Sequence, residues 1–461
     1  MSISNTFLGS RAVLEVLRRA KTVFFVGIGG VQMEALALIL AARGYTVRGS
    51  DRRESAATVR LRAAGVSVVI GHREENIENA DCLFYTLAVS RENPELCAAQ
   101  SRAIPAFSRA DLLGALMTDA KERIAVAGMH GKSTATAMLA AILRASGSAP
   151  TVVGGAPLGG EEAAYLLGGG DTFLCEACEY RDSFLCLEPT VALILNTEWE
   201  HTDYFKTPAS VARSFSRFAA RAQTLILPDE GADGILTPPD ARVIRFGFTE
   251  KADARATHLS YEGGAPAFNF SFDGKTRGRV FLSVLGEHNA KNALAALAAA
   301  EALGVPFSSA SRALSSFSGV DCRLEKRGVF RGITVYFDYA HHPTEIRASL
   351  AALRTAHPAA RLFCIFQPHT YSRTAAFFHA FAEALSLADT AILADIYAAR
   401  EQNESGVSSE ALAAAVRGGL YAESPDAALG AILAHARAGD TLVVMGAGDI
   451  REKMRPLLFP T

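Results

Sequence analysis

Lys132, Ser133 and Thr134 follow Gly128 and Gly131, and the chain then continues as an Ala/Leu-rich stretch. An apolar run ending at Ala127, a Gly-containing turn and a new helix make a phosphate cradle. Glycines let backbone N–H groups turn inward, and the helix adds its positive N-terminus. In such a loop a lysine reaches β/γ-phosphate oxygens and a hydroxyl holds Mg²⁺. The pattern G-x-x-x-x-G-K-[ST] wants a glycine where this chain has Val126, so the match is incomplete. Glu176 ends an apolar run, and His201 follows Asn196 after another. A carboxylate and an imidazole at strand ends near a phosphate loop could bind Mg²⁺ directly or hold a Mg²⁺-bound water. Two further polar loops carry histidines. Asp338-Tyr-Ala-His-His-Pro-Thr-Glu345 holds His341 and His342, and Gln367-Pro-His-Thr-Tyr-Ser-Arg-Thr374 holds His369 and Arg373. Arg373 is a candidate clamp for a carboxylate or phosphate. No H-x-x-x-H spacing supports a transition-metal reading of these histidines.

Gly27-Ile-Gly-Gly30 is half of a dinucleotide fingerprint, with Gln32 where the last glycine belongs and Asp51 after the next strand. NAD, another ligand and plain tight packing all remain open for it. Cys175-Glu-Ala-Cys178 lacks the second pair of a zinc site, so cysteines along a buried strand, not a redox dithiol, are expected there.

The elements that position these residues are strands alternating with helices. Residues 21–118 read as strand–helix units, with strands over 21–26, 45–48, 66–70 and 82–85 and a helix over 31–43. The phosphate-loop strand opens a second set, with buried strands over 172–175, 191–195 and 224–227. More exposed strands are expected over 243–248 and 268–272, and an Ala-rich helix over 288–303. A third set has strands over 333–338, 361–366, 390–394 and 441–445. The expected domains are 1–118, 119–318 and 319–461. The fold class is α/β: two Rossmann-like domains flank a central phosphate-loop domain with a mixed sheet. Ligands in such folds sit at the C-terminal ends of strands.

At 461 residues, 49% hydrophobic and 20% charged, the chain has a globular composition. Lys plus Arg number 46 against 48 acidic residues, and this net charge of −2 gives no electrostatic case for nucleic acid. No apolar run approaches the ~20 residues of a membrane span. Seven cysteines without an export signal read as reduced thiols, which points to the cytoplasm.

Together these segments resemble the Mur ligases, ATP-dependent amino-acid-adding enzymes of peptidoglycan synthesis, over nearly the whole chain. The marks are Gly27–Gly30, Gly49-Ser-Asp51, Ile104-Pro105 with Ser108-Arg109, and the phosphate loop. Further on come Glu176–Arg181, Asn196 through His201-Thr-Asp-Tyr-Phe205, His288-Asn289 with Asn292, both histidine loops and Gly446–Asp449. Tyr-Ala-His-His-Pro followed by Phe-Gln-Pro-His-Thr-Tyr-Ser-Arg-Thr resembles the alanine-adding branch. The resemblance implies a cytoplasmic ligase of cell-wall biogenesis, and so of cell shape and division. Its substrates would be UDP-N-acetylmuramate and L-alanine, its cofactors ATP and Mg²⁺, its state a monomer or weak dimer.

By the same resemblance Gly128, Met129, His130, Gly131, Lys132, Ser133 and Thr134 hold the phosphates, and His288, Asn289, Asn292 and Asp338 meet the nucleotide. Ser133, Glu176 and His201 hold Mg²⁺. Gly29, Gly30, Asp51 and Arg109 receive the UDP-sugar in place of NAD. His342, His369 and Arg373 receive the carboxylate and amino acid. Lys132, His201, Arg323, His342 and Arg373 are the implied catalytic set. The chain departs from the family pattern at Gln32, Glu34, 86–89, Glu200, Cys322 and Phe337, and the helix over 211–222 has no lysine to carbamylate. The alternatives are a recycling ligase that attaches a peptide to the same sugar, and a nucleotide-binding homologue with impaired catalysis.

Overall fold

The computed structural model describes residues 8–159, 161–202, 204–232, 234–399 and 401–460. It has the expected three-part α/β architecture, with one sheet in each part. In the first, strands Ser67–Ile70, Thr46–Asp51, Thr22–Val26, Cys82–Tyr85 and Ala106–Ser108 lie in that spatial order, all parallel. Phe24 and Phe25, adjacent in the central strand, are both buried because helices cover both faces. The amphipathic N-terminal segment forms the helix Gly9–Leu17. It buries Val13 and Leu17, and Gly9 N–H donates to Asp111 Oδ1 at 3.0 Å.

The central sheet has ten strands. Glu122–Ala127 sits between Val191–Ile194 and Thr172–Glu176, parallel to both. Thr224–Pro228 and Arg242–Gly247 extend it on one side. An antiparallel meander of Ala254–Glu262, Ala265–Phe272 and Lys275–Phe281 follows. Phe268, Phe270 and Phe272 alternate and are buried against the helix side, while Lys275, Thr276 and Phe281 are exposed. The strands expected to be more exposed, over 243–248 and 268–272, alternate between a core face and a more open one, unlike the fully buried Val191–Ile194. The flanking strands escaped detection because charge interrupts their short runs, as in Lys275-Thr-Arg-Gly-Arg279.

The third sheet has six strands, in the order Glu325–Phe330, Ile333–Asp338, Thr441–Met445, Leu362–Phe366, Thr390–Ala394 and Gly419–Ala422. Only the Glu325–Phe330 pairing is antiparallel. In the parallel part of each sheet the loops that leave the C-terminal strand ends are the ones carrying the polar motifs.

Candidate functional site at the junction of the second and third domains

Ala127 pairs with Ile194 and Val126 with Glu176, so the phosphate loop, Glu176 and Asn196 leave one edge of the sheet together. The loop turns at Gly128 (φ +140°) and Gly131 (φ +82°), conformations that L side chains rarely adopt. A Cβ at Gly131 would collide with the Asn292 side chain. Asn196 Oδ1 accepts the N–H groups of Met129 and His130 at 2.9 and 3.0 Å, and its amide donates to His130 O at 3.0 Å. Two loop donors are therefore engaged by Asn196. The donors left facing outward belong to the N-terminus of the helix Lys132–Ala145, which begins at Gly131.

Lys132 is folded back onto its own loop. Its ammonium donates to Gly128 O at 2.5 Å and Met129 O at 3.1 Å, and pairs with Glu179 Oε2 at 2.9 Å. Burial works against its charge, but Glu179 outweighs it and holds the lysine above its usual range. Glu179 also lies 3.1 Å from His201 Nε2. It thus joins two residues singled out in the sequence, although only its place three residues after Glu176 could have signalled it. Glu176, 7% exposed, accepts the Gly155 N–H at 2.6 Å. His201 sits at φ +50° with its ring 5.0 Å from that of Tyr180. Asp203, within the same motif, lies outside the described residues.

A cavity of about 780 Å³ opens beside the loop. His130, Gly131, Thr134 and Asn196 form one wall, and Asp229, Phe248, His288, Asn289 and Asn292 form another. Arg323, Asp338 and Glu345 close it from the third domain. Lys291 Nζ stands 5.8 Å from the centre of the Phe248 ring. Asn292 donates to Asn289 Oδ1, which orients both amides. Burial pushes His288 down to about 4, so this imidazole is neutral. Asp338 accepts from Ser349 and from the Ala340 N–H, and burial raises its pKa. Arg323 lies over the Tyr339 ring, 4.8 Å from its centre.

These features match a known set of proteins. The description "Mur ligase family, catalytic domain" fits residues 22–121, "Mur ligase middle domain" fits 126–300, and "Mur ligase, glutamate ligase domain" fits 322–448. The chain belongs to the Mur ligase family. It is 42% identical over 447 residues to a UDP-N-acetylmuramate–L-alanine ligase of Caldicellulosiruptor bescii, covering 93% of this chain and 96% of that one. Among solved structures it resembles the UDP-N-acetylmuramate-alanine ligase MurC of Thermotoga maritima, at 26% identity and a TM-score of 0.80 over 94% of this chain and 97% of that one. A murein peptide ligase from Psychrobacter arcticus is 25% identical with a TM-score of 0.73, over 96% of this chain and 99% of that one.

Within this Mur ligase, residues from two domains interlock around Glu345 and Glu200. His342 caps the helix Pro343–Ala356, and Glu345 Oε2 accepts the backbone N–H groups of His341 and His342 at 3.0 and 3.3 Å. Glu345 Oε1 lies 3.2 Å from His130 Nδ1. The departure Glu200 is 2% exposed. Its Oε1 accepts from Arg373 at 2.9 Å and lies 3.4 Å from His341 Nε2. Arg373 also reaches His369 Nδ1 at 3.2 Å, and the His369 ring stacks on Tyr397. Arg373 therefore belongs to the helix Tyr371–Ala376 with a partner in the central domain, and is not a free loop residue.

Other departures have local explanations. Glu34 is buried in a bidentate pair with Arg60, at 2.7 Å for both bonds, and its Oε1 lies 3.5 Å from the central-domain Tyr165 hydroxyl. Phe337 points to the opposite face of its strand from Asp338, into the apolar core. Nothing in the structure explains Cys322. Asp51 Oδ2 accepts the Gly29 N–H at 2.9 Å, so the carboxylate read as a ligand acid shapes the turn at Gly29 and Gly30. Arg109 starts the helix Arg109–Met117 close enough to act electrostatically on Cys175 and Cys178, which are free thiols raised by burial.

The junction sets a pH response. Burial disfavours an imidazolium at His130, but Glu345, Glu198 and Glu200 outweigh it and push its pKa up to about 10. His342, buried beside the His130 charge, is pushed down to about 4, and so is His369, buried beside Arg373. A raised folded pKa stabilises below the unfolded value of ~6.5, and that stability is lost as pH climbs toward about 10. The buried neutral histidines act oppositely and lose stability as pH falls from ~6.5 toward about 4. Urea midpoints should therefore peak near neutrality. His130→Gln should remove the alkaline decline, and an unchanged alkaline limb would show that His130 does not carry the charge.

Proposed function

We propose that this chain is an ATP-dependent ligase that joins L-alanine to the carboxylate of UDP-N-acetylmuramate in peptidoglycan synthesis. One observation carries the reading: the phosphate-loop helix of the central domain and Arg323, Asp338 and Glu345 of the third border a single cavity. A carboxylate does not accept an amine without activation. ATP, when bound, supplies a γ-phosphoryl group that converts the carboxylate into an acyl phosphate, with ADP leaving. The free N–H groups at the start of the helix Lys132–Ala145 bind and orient the phosphates. Lys132 exchanges its carbonyl and Glu179 partners for phosphate oxygens and neutralises charge as it develops. Arg373 and His369 hold the acceptor carboxylate and the amino acid beside His342. The amine of L-alanine attacks the acyl carbon, gives up a proton, and phosphate leaves as the amide forms. First-domain Gly29, Gly30, Asp51 and Arg109 receive the UDP-sugar.

Ser133 and Glu176 offer hard oxygen donors at one strand edge, a set that suits Mg²⁺. Both are buried. His201, through the nitrogen that Glu179 leaves free, completes the set or orients a water on the ion. When bound, Mg²⁺ neutralises phosphate charge. Glu176→Ala and His201→Ala should each raise the Mg²⁺ concentration for half-maximal rate by roughly 10-fold or more. Unchanged metal dependence in both variants would place the ion elsewhere.

The cavity leaves the second-domain face accessible to a nucleotide, and no helix among the described residues is long and apolar enough to cross a membrane. The deciding experiment is phosphate release from ATP with Mg²⁺, UDP-N-acetylmuramate and single amino acids. Release that needs both the UDP-sugar and L-alanine supports the reading. Release with the UDP-sugar and a peptide, but not with L-alanine, would mark a recycling ligase instead.

A further inference from the structure

His130, Glu198 and His342 form a cluster of metal-ligating side chains at the edge of the proposed ligase site, with Glu198 outside the residues assigned to the reaction. Each offers one ligand atom, and these atoms all lie within 4.8 Å of one another. Glu198 Oε2 is 3.6 Å from His130 Nε2 and 3.9 Å from His342 Nδ1, which also accepts the Thr344 N–H at 3.4 Å. Ligands at ~2.1 Å in a tetrahedral zinc site stand about 3.4 Å apart, so the Glu198–His130 edge needs to contract only slightly. His342 is 4% exposed and its Nε2 has no hydrogen-bond partner, while the buried His130 ring has carboxylates near both of its nitrogens. The two rings are tilted by 33°, with 4.8 Å between centres. Unpaired buried imidazole nitrogens are costly unless something else occupies them.

We infer that His130, Glu198 and His342 form a binding site for a divalent transition-metal ion of the zinc class, tying the phosphate loop to the third domain. Two imidazoles and one carboxylate are a borderline donor set that prefers zinc to Mg²⁺, which takes oxygen. Three protein ligands leave a fourth position for water. With the ion on Nε2 of His130, Nδ1 faces Glu345 Oε1 at 3.2 Å, the outer carboxylate that usually orients a ligating histidine. Thr344 Oγ1 donates to Glu198 Oε2 at 2.6 Å and orients the third ligand. This site is distinct from Ser133, Glu176 and His201. His130 stands on the central-domain loop and His342 caps a third-domain helix, so a bound ion bridges the domains and slows any step that separates them.

The test is equilibrium dialysis of the full chain against Zn²⁺ with Mg²⁺ in large excess. One equivalent should bind, and Glu198→Gln and His342→Gln should each weaken binding at least ~10-fold. Glu198 is partly exposed, so Glu198→Gln should melt with the parent when metal-free, and Zn²⁺ should raise the melting temperature of the parent alone. Co²⁺ as a spectroscopic probe should give weak nitrogen/oxygen ligand-field bands. Zn²⁺ affinity unchanged in Glu198→Gln, or intense thiolate charge-transfer bands that place the ion on cysteine, would overturn the assignment. Neither readout depends on ligase activity, so failure of this site and failure of the proposed reaction are separable.

Discussion

Lys132→Ala is expected to lose turnover by at least ~10²–10³-fold, the scale of removing one transition-state charge stabiliser. Its effect on the fold is not negligible. The ammonium pairs with Glu179, which is 1% exposed and also lies 3.1 Å from His201. Deleting one partner of a buried pair strands the other charge, at about 3–5 kcal/mol. A domain of ~200 residues should then melt roughly 10 °C lower. The double variant Lys132→Met/Glu179→Gln removes both charges, so it should recover most of that melting temperature and none of the turnover. Turnover near the parent's in either protein would remove Lys132 from the reaction. Failure of the double variant to regain stability would show that the loop needs the ammonium's bonds to Gly128 and Met129 more than the ion pair.

Arg373→Lys should lose about 10²-fold in turnover, the scale of a small misplacement of a reacting group, with little change in melting temperature. Arg373 holds Glu200 with one nitrogen and His369 with another. A lysine keeps the charge but cannot hold both in one plane. Arg373→Ala is a different case, because Glu200 is 3% exposed in its side chain and would lose its 2.9 Å partner while keeping His341 and His130 nearby. That variant should be destabilised by about 3–5 kcal/mol, and Glu200→Gln added to it should return part of the loss. A lysine variant with full turnover would mean that Arg373 is not a positioned clamp. An alanine variant as stable as the parent would mean that the Glu200 contact does not hold the two domains. The pairing also gives the departure at Glu200 a physical role: from the central domain its side chain reaches both Arg373 and His341.

Local spacing carried the parts of this protein that depend on neighbours in the chain. The run from Glu122–Ala127 through Gly128 and Gly131 into Lys132–Ala145 is a strand, a turn needing positive φ and a helix, all within 24 residues. Each step is encoded by residue type within a few positions, so the phosphate cradle, the alternating strands and the three-part α/β architecture were legible without coordinates. Cys175 lies in the buried strand as its apolar run implies, whereas Cys178 follows that strand and is partly buried.

Tertiary packing decided the pairings. Arg373 and Glu200 are 173 residues apart, Glu198 and Thr344 are 146 apart, and no periodicity links them. Glu179 lies within the Glu176–Arg181 mark, but its place between Lys132 and His201 follows only from the fold. Asp51 also accepts the Gly29 N–H at 2.9 Å, a pairing across 22 residues that spacing alone does not show. A side chain's type limits which partners it can take, and local spacing sets its element. Which partner it meets depends on how separately folded sheets dock, and that arrangement follows from the whole buried surface of the chain.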